Sequence, residues 1–238
     1  MFSLSRKRLF QIKYEHLDLS SLATTKEFVN GLGMDKVDIL INNAAVWGSP
    51  VAKSVDGLEQ TFATNYLAHF YLTNLLIQKY SLQRVINVSS GLYPQGKIRA
   101  DDLEDLLKIP DVLNKDVYRS LYSSSKLAQI YHCKELARRH PEIQSYSLHP
   151  GLCYTDLARY VKPQSIILSV LGRLLPLVIR TPEEGAQTYV YCSVEEGLES
   201  GGYYGDCAKE SLKEVACDPT IQQKLWEFSE DVIREKTS

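Results

Sequence analysis

The sequence predicts an α/β fold in which helices cover both faces of a parallel sheet. Short runs rich in apolar residues alternate along the 238 residues with longer stretches of helical periodicity. One of these runs, residues 37–45, is almost continuously apolar, as is typical of a fully buried parallel strand. No internal repeat, low-complexity linker or block of charge divides the sequence, so we expect one domain over residues 1–238.

The predicted elements follow one another with short connections. Residues 14–19, YEHLDL, are predicted to form a strand, and residues 20–32 a helix capped by Ser20 or Ser21. After the strand at 37–45 we expect a helix at 55–80, a strand at 84–90, a helix at 118–139, a strand at 143–151, a short strand at 201–206 and a helix at 219–236.

Composition excludes several classes of function. A formal net charge of -2 argues against a protein that binds nucleic acid through phosphate contacts, and the basic cluster at residues 6–8 is short. The five cysteines lack the spacing of a zinc site or a disulfide framework and are typical of a reducing compartment. With no secretory signal or transmembrane run, a cytoplasmic location is expected.

The most apolar stretch is residues 165–179, SIILSVLGRLLPLVI, which Arg173 and Pro176 interrupt. It is shorter than the roughly 20 apolar residues that span a membrane. Three interpretations remain open for it: a buried helix, a lid over an apolar pocket, or a contact with a membrane surface.

Polar residues follow three of the predicted strands. Asn42 and Asn43 end one strand, Ser89 and Ser90 end the next, and Pro150 with Gly151 ends a third. Because ligands of parallel α/β sheets bind beyond the carboxyl ends of the strands, this arrangement predicts a site along one edge of the sheet.

The stretch YSSSK, residues 122–126, supplies a candidate proton-transfer pair. Tyr122 and Lys126 are four residues apart, so on a helix their side chains lie on the same face. A nearby ammonium group stabilises a phenolate and lowers the pKa of a tyrosine toward the neutral range. Taken alone the spacing is also compatible with an ordinary solvated helical turn.

In combination, the motifs resemble the short-chain dehydrogenase/reductase family. They are NNAA (42–45), Asn65, NVSS (87–90), YSSSK (122–126) and HPGLCYTDL (149–157). The sequences RTPEEGAQT and EGLESGGYYGDC resemble in particular the retinol dehydrogenase-like branch. The resemblance implies a Rossmann-type fold and NAD(P)-dependent interconversion of an alcohol and a carbonyl. The implied substrate is hydrophobic, such as a retinoid, a steroid or a lipid aldehyde.

The resemblance also implies roles for individual residues. Tyr122 would exchange the proton with the substrate oxygen, and Lys126 would lower the pKa of Tyr122 and bind the ribose hydroxyls of the cofactor. Ser90 would bind the substrate oxygen, with Ser89 as its nearest rival. Asn65 would hold a water molecule that connects Lys126 with solvent; otherwise it is a polar residue on a solvated helix face.

Further residues are implied to contact the cofactor. They are Asp18 at the adenine, Asn43, Ala44 and Ala45 at the adenosine side, and Pro150, Gly151, Cys153 and Thr155 beside the carboxamide. The implied cofactor is NADP or NAD, and this branch of the family favours NADP.

One family motif is not found in the sequence. The glycine-rich TGxxxGxG turn, whose backbone approaches the pyrophosphate, has no counterpart here, and GLG at 31–33 closes a helix. We therefore expect the N-terminal βαβ portion of the fold to be missing. Two functions follow as alternatives: a shortened working enzyme, or a catalytically silent form that acts as a partner of a full-length relative. The family also implies homodimers that form through the helix bearing Tyr122 and its neighbour.

Overall fold

The structure, a computed structural model, describes residues 12–47, 52–111, 113–153 and 179–238. Within these residues it contains a five-stranded sheet with strand order β1-β2-β3-β4-β5. The strands are β1 (Ile39–Asn42), β2 (Arg84–Val88), β3 (Gln144–Leu148), β4 (Gly202–Gly205) and β5 (Ala208–Lys209). Strands β1 to β4 are parallel and β5 is antiparallel to β4, which confirms the predicted α/β class.

The helices connect these strands. They are α1 (Leu22–Gly31), α2 (Gln60–Phe62), α3 (Ala68–Lys79), α4 (Lys115–Arg139), α5 (Pro182–Val194) and α6 (Pro219–Thr237), with a π-helical turn, Ala63–Leu67, between α2 and α3. Side chains cap four of the longer helices, among them α5 through Thr181. Ser21 accepts a hydrogen bond from the backbone of α1, Asn114 from that of α4 and Asp218 from that of α6.

The two faces of the sheet are covered unequally. Helices α1, α3, α4 and α6 form the larger core with side chains such as Val85 of β2 and Tyr203 of β4. The opposite face is smaller, and there Cys192 of α5 packs with alternate strand residues such as Ile86 and Tyr146. Helices therefore lie on both faces, as predicted, and the sheet holds α4 against its centre.

Strand β1 lies at an edge of the sheet, so the prediction of a fully buried strand at 37–45 is wrong. Ile39 is 38% exposed and Ile41 is 41% exposed. Among the residues that the structure describes, no strand pairs with the outer side of β1. The predicted strand at residues 14–19 is also wrong, because this segment is irregular and ends in a turn. A short strand needs a hydrogen-bonded neighbour, and no described strand pairs with this segment.

The predicted helix at 55–80 begins later than expected and is not uniform. Glu59 is fully buried, and its carboxylate accepts hydrogen bonds from the backbone N–H groups of Thr61 and Phe62. Burial raises the pKa of Glu59, although the two N–H donors oppose that change. The π-helical turn then carries Asn65 into the interior of the molecule.

The C-terminal helix α6 packs across α3 and α4. The ring of Trp226 meets Phe70 of α3 edge to face at 4.7 Å between centroids, and the guanidinium of Arg139 lies over it at 5.1 Å. Below this contact, the hydroxyl groups of Tyr66 and Ser229 form a buried hydrogen bond of 2.9 Å. None of the helices that the structure describes has the length and apolarity needed to cross a membrane.

Candidate functional site

A cavity of about 870 Å³ opens where β1, β2 and β3 end, at the edge of the sheet that the polar strand ends predicted. The structure brings most of the predicted site residues together in it. Those that line it are Asn43, Ala44, Ala45, Ser90, Tyr122, Lys126, Pro150, Gly151 and Cys153. Asn65 is buried behind the wall, Asp18 lies away from the cavity, and Thr155 falls outside the described residues.

Tyr122 and Lys126 lie on the face of α4 that borders the cavity. Only 4% of Tyr122 and 2% of Lys126 is exposed, so the interpretation as a solvated helical turn is wrong. The Lys126 ammonium lies 5.7 Å from the centroid of the Tyr122 ring and donates a hydrogen bond of 2.9 Å to the Val88 carbonyl. Strand β2 thus fixes the position of the lysine that stands beside the tyrosine.

Burial shifts the pKa values of Tyr122 and Lys126 so that the neutral form of each side chain is favoured. It raises the pKa of Tyr122 to about 12, while hydrogen bonding with Ser90 acts in the opposite direction. It lowers the pKa of Lys126 to about 7. The lowered tyrosine pKa expected from a neighbouring ammonium is therefore not seen in this structure, because desolvation of Tyr122 outweighs the hydrogen bond with Ser90.

The two serines after β2 face different surroundings. Ser89 is buried, and its hydroxyl donates a hydrogen bond of 2.7 Å to the backbone carbonyl of Lys126. Ser90 is half-buried beside Tyr122, and its Oγ accepts a hydrogen bond of 3.2 Å from the Leu92 N–H. The hydroxyl proton of Ser90 is therefore available toward the cavity, whereas that of Ser89 is held in the hydrogen bond to the Lys126 carbonyl.

Asn65 joins the loop after β1 to α4. Its Oδ1 accepts from the Val46 N–H at 2.8 Å, and its Nδ2 donates to the Val46 carbonyl at 3.0 Å and to Ser125 Oγ at 3.1 Å. The residue is fully buried, so it is not a polar residue on a solvated face. Its backbone carbonyl accepts from Gln129 and contacts a ring nitrogen of His69. The predicted role in holding a water molecule stays a prediction.

The loop after β3 forms the far wall of the cavity. Gly151 has a φ of 78°, and a Cβ at this position would come within 2.7 Å of Arg180 Nη1. The Gly151 N–H donates to His149 Nδ1 at 3.2 Å, while His149 Nε2 lies 3.0 Å from Glu210. Cys153 donates to the Pro150 carbonyl at 3.3 Å, and burial raises the pKa of its thiol. A tight turn and the pair of side chains behind it thus set the shape of this wall.

The loop after β1 forms the more open wall. Asn43 and Ala44 are exposed, and the Tyr189 hydroxyl of α5 donates a hydrogen bond of 2.8 Å to Asn43 Oδ1. The ring of Trp47 packs on that of Tyr122 with 5.3 Å between centroids. Asp18 instead accepts a hydrogen bond from the Ser20 N–H in the turn before α1, which lowers the pKa of its carboxyl.

Sequence reasoning missed several cavity residues, and those with polar or aromatic side chains are Trp47, Arg119, His149 and Tyr189. The sequence could have indicated two of them. Arg119 lies three residues before Tyr122, on the same helix face, and His149 directly precedes Pro150. No local pattern marked Trp47 or Tyr189, because each reaches the cavity through the packing of a loop or of α5.

Comparison with known proteins gives consistent results. A family model described as short chain dehydrogenase matches residues 3–99. Retinol dehydrogenase 14 from Mus musculus is 37% identical over 232 residues, which are 94% of this chain and 67% of that protein. Retinol dehydrogenase 12 from Bos taurus is 36% identical and aligns with 94% of this chain and 70% of its own length. The chain thus spans about two thirds of the length of these relatives.

Solved structures show the same fold. A crystal structure of an uncharacterized protein from Mycobacterium paratuberculosis matches 97% of this chain and 78% of that one, with a TM-score of 0.72 and 28% identity. A short chain dehydrogenase from Burkholderia cenocepacia, solved in complex with NADP, matches 76% of this chain and 69% of that one. Its TM-score of 0.53 at 20% identity supports the fold alone.

Proposed function

Because this chain belongs to the short-chain dehydrogenase/reductase family, in its retinol dehydrogenase-like branch, we propose that it interconverts an alcohol and a carbonyl on a hydrophobic substrate with NAD(P). The observation that carries this proposal is the burial of Tyr122 and Lys126 side by side, next to Ser90, at the cavity. The names of the relatives support a retinoid or a similar apolar alcohol or aldehyde as the substrate.

The residues present fit the nicotinamide end of such a cofactor. Lys126 carries three N–H donors, of which one bonds to Val88, so donors remain for the ribose hydroxyls. The turn at Pro150 and Gly151 would lie beside the carboxamide, and Asn43 to Ala45 would lie toward the adenosine. Among the described residues, no glycine-rich turn at a helix N-terminus faces the cavity to receive the pyrophosphate. We also propose that the chain binds NADP more tightly than NAD.

The proposed chemistry assigns one task to each side chain. The cofactor supplies or accepts the hydride when it is bound. Tyr122, which its raised pKa keeps protonated near neutral pH, gives its proton to the carbonyl oxygen in the reductive direction. Ser90 donates a hydrogen bond to the same oxygen. Lys126, with a pKa of about 7, can exchange a proton near neutral pH while it holds the ribose.

The proposal includes a cellular setting. All five cysteines are free, which supports a reducing compartment such as the cytoplasm. Contact with a membrane surface through residues 165–179 would bring an apolar substrate to the cavity; all but the last of these residues lie outside the described part of the chain.

A second function is favoured by the outer edge of β1, with which no described strand pairs. Ile39 and Ile41 are exposed there, and an unpaired parallel strand offers its N–H and C=O groups to another chain. A catalytically silent partner that pairs with a full-length relative, or with a second copy of itself, would use this edge.

Titration with NADPH and NADH by calorimetry, followed by reduction of retinal, tests the main proposal. We expect saturable cofactor binding and a loss of about 10²- to 10⁴-fold in kcat for Tyr122→Phe, since this change removes the proton donor. Tyr118→Phe, on the same helix one turn earlier, is the matched control and should retain activity. A folded chain that binds neither cofactor would contradict the proposal and favour the partner function.

A further inference from the structure

The cavity contains a second cation that the proposed chemistry does not use. Arg119 lines it and has no hydrogen-bond or ion-pair partner among the described residues. Every other described arginine has one: Arg84 bonds to the Cys192 carbonyl, Arg99 pairs with Asp102, Arg138 and Arg139 with Glu135, Arg180 with Asp206, and Arg234 with Asp231.

The position of Arg119 along α4 places it on the side of Tyr122 opposite Lys126. It lies three residues before Tyr122, whereas Lys126 lies four residues after it, and all three line the cavity. At 1.5 Å of rise per residue, the two cations flank Tyr122 at about 4.5 Å and about 6 Å along the helix axis. If Lys126 holds the cofactor ribose, Arg119 borders the opposite part of the cavity, where the body of a substrate extends.

The rest of that wall, as far as the described residues form it, is apolar and carries no negative charge. Trp47, Leu92 and Leu152 line the cavity, and no aspartate or glutamate does so among the described residues. An unpaired guanidinium next to apolar walls attracts a carboxylate, which it can bind with two parallel hydrogen bonds. An apolar chain beside it would reduce solvent screening of that pair.

We propose that Arg119 selects substrates that are apolar aldehydes or ketones with a carboxylate at the end remote from the reacting carbonyl. This inference rests on the proposed function and narrows its substrate class. The carboxylate binds Arg119, the chain lies against Trp47 and Leu152, and the carbonyl oxygen reaches Tyr122 and Ser90.

Calorimetric titration with 8-oxooctanoate and with its methyl ester tests the inference without any turnover. We expect the acid to bind the wild-type chain about 5- to 10-fold more tightly than the ester. Arg119→Gln should remove this preference, and Arg119→Lys should retain part of it. Because the pair is electrostatic, the preference should also decrease as the salt concentration rises.

Arg99→Gln is the matched control, because Arg99 is an exposed arginine that pairs with Asp102 outside the cavity. The preference should be unchanged in that variant. Equal affinity for acid and ester in the wild type, an undiminished preference in Arg119→Gln, or no saturable binding of either compound would overturn the inference. If the acid is preferred but neither compound is reduced in the presence of NADPH, the proposed function fails while the role of Arg119 stands.

Discussion

The two walls of the cavity differ in how firmly the fold holds them. On one side, β2, β3 and α4 bury the residues that carry the proposed chemistry, and Tyr122 and Lys126 are almost fully enclosed. On the other side, β1 is an edge strand whose isoleucines are about 40% exposed, and the loop after it carries the exposed Asn43. The proton-transfer groups thus lie in a buried frame, while the implied adenosine side lies on a partly exposed edge strand of the described sheet.

A matched pair of substitutions provides the strongest test of this contrast. Ile41 and Ile86 are register partners on neighbouring parallel strands, but Ile86 is fully buried. Ile86→Ala should lower the free energy of unfolding by about 2–5 kcal/mol through cavity formation. Ile41→Ala should cost about 1 kcal/mol or less. Urea denaturation measures both, and equal costs would mean that another chain or segment covers β1 in solution.

A smaller effect should appear in the pH dependence of stability. Burial lowers the pKa of Lys126 to about 7, so the folded protein binds this proton less tightly than the unfolded chain does. The free energy of unfolding should therefore rise between pH 7 and pH 9, with a contribution of up to about 1.4 kcal/mol per pH unit. Below pH 7 Lys126 is protonated in both the folded and the unfolded protein, so it no longer makes the free energy of unfolding depend on pH.

Lys126→Met should flatten that part of the profile. Lys36→Met, which removes an exposed ammonium that pairs with Asp38 next to β1, should leave it unchanged and serves as the control. Denaturation at a series of pH values measures both. The same profile in wild type and Lys126→Met would show that the buried ammonium keeps its charge in the folded protein.

The smallest expected effect concerns the hydrogen bond that joins the two walls. Tyr189→Phe removes the hydroxyl that donates to Asn43, a bond exposed to solvent, and should cost about 0.5–1 kcal/mol. Tyr191→Phe, on the same helix, is the control, since its hydroxyl has no hydrogen-bond partner among the described residues. Thermal denaturation resolves the difference. A cost above about 2 kcal/mol in Tyr189→Phe would mean that this bond holds the β1 loop in place.

The sequence was informative where local chemistry decides the structure. Ser21, Asn114 and Asp218 cap helices that lie close to their predicted bounds, and β2 and β3 fall within the predicted runs. The sequence was misleading where strand pairing decides the structure, because YEHLDL has the composition of a strand but pairs with none of the described strands. Helix α5 was missed although Thr181 and Glu184 form a capping box at its start.

The same division applies to the site. Strand-end residues and the Tyr122–Lys126 spacing predicted the cavity, since parallel strands bring their carboxyl ends to one edge. The pKa values could not be predicted, because they depend on how completely α4 and β2 exclude water from Tyr122 and Lys126. Trp47 likewise reaches the cavity only through the fold of the loop after β1.

Helix α6 has a consequence for assembly. The family resemblance implies pairing of subunits through α4 and its neighbour, but Trp226 and Ser229 of α6 pack against α3 and the turn before it, and Arg139 of α4 lies over Trp226. Helix α6 therefore covers part of the surface of α3 and α4 on which the resemblance implies that subunits pair. We expect a homodimer through this surface to require displacement of α6 and the loss of its buried contacts.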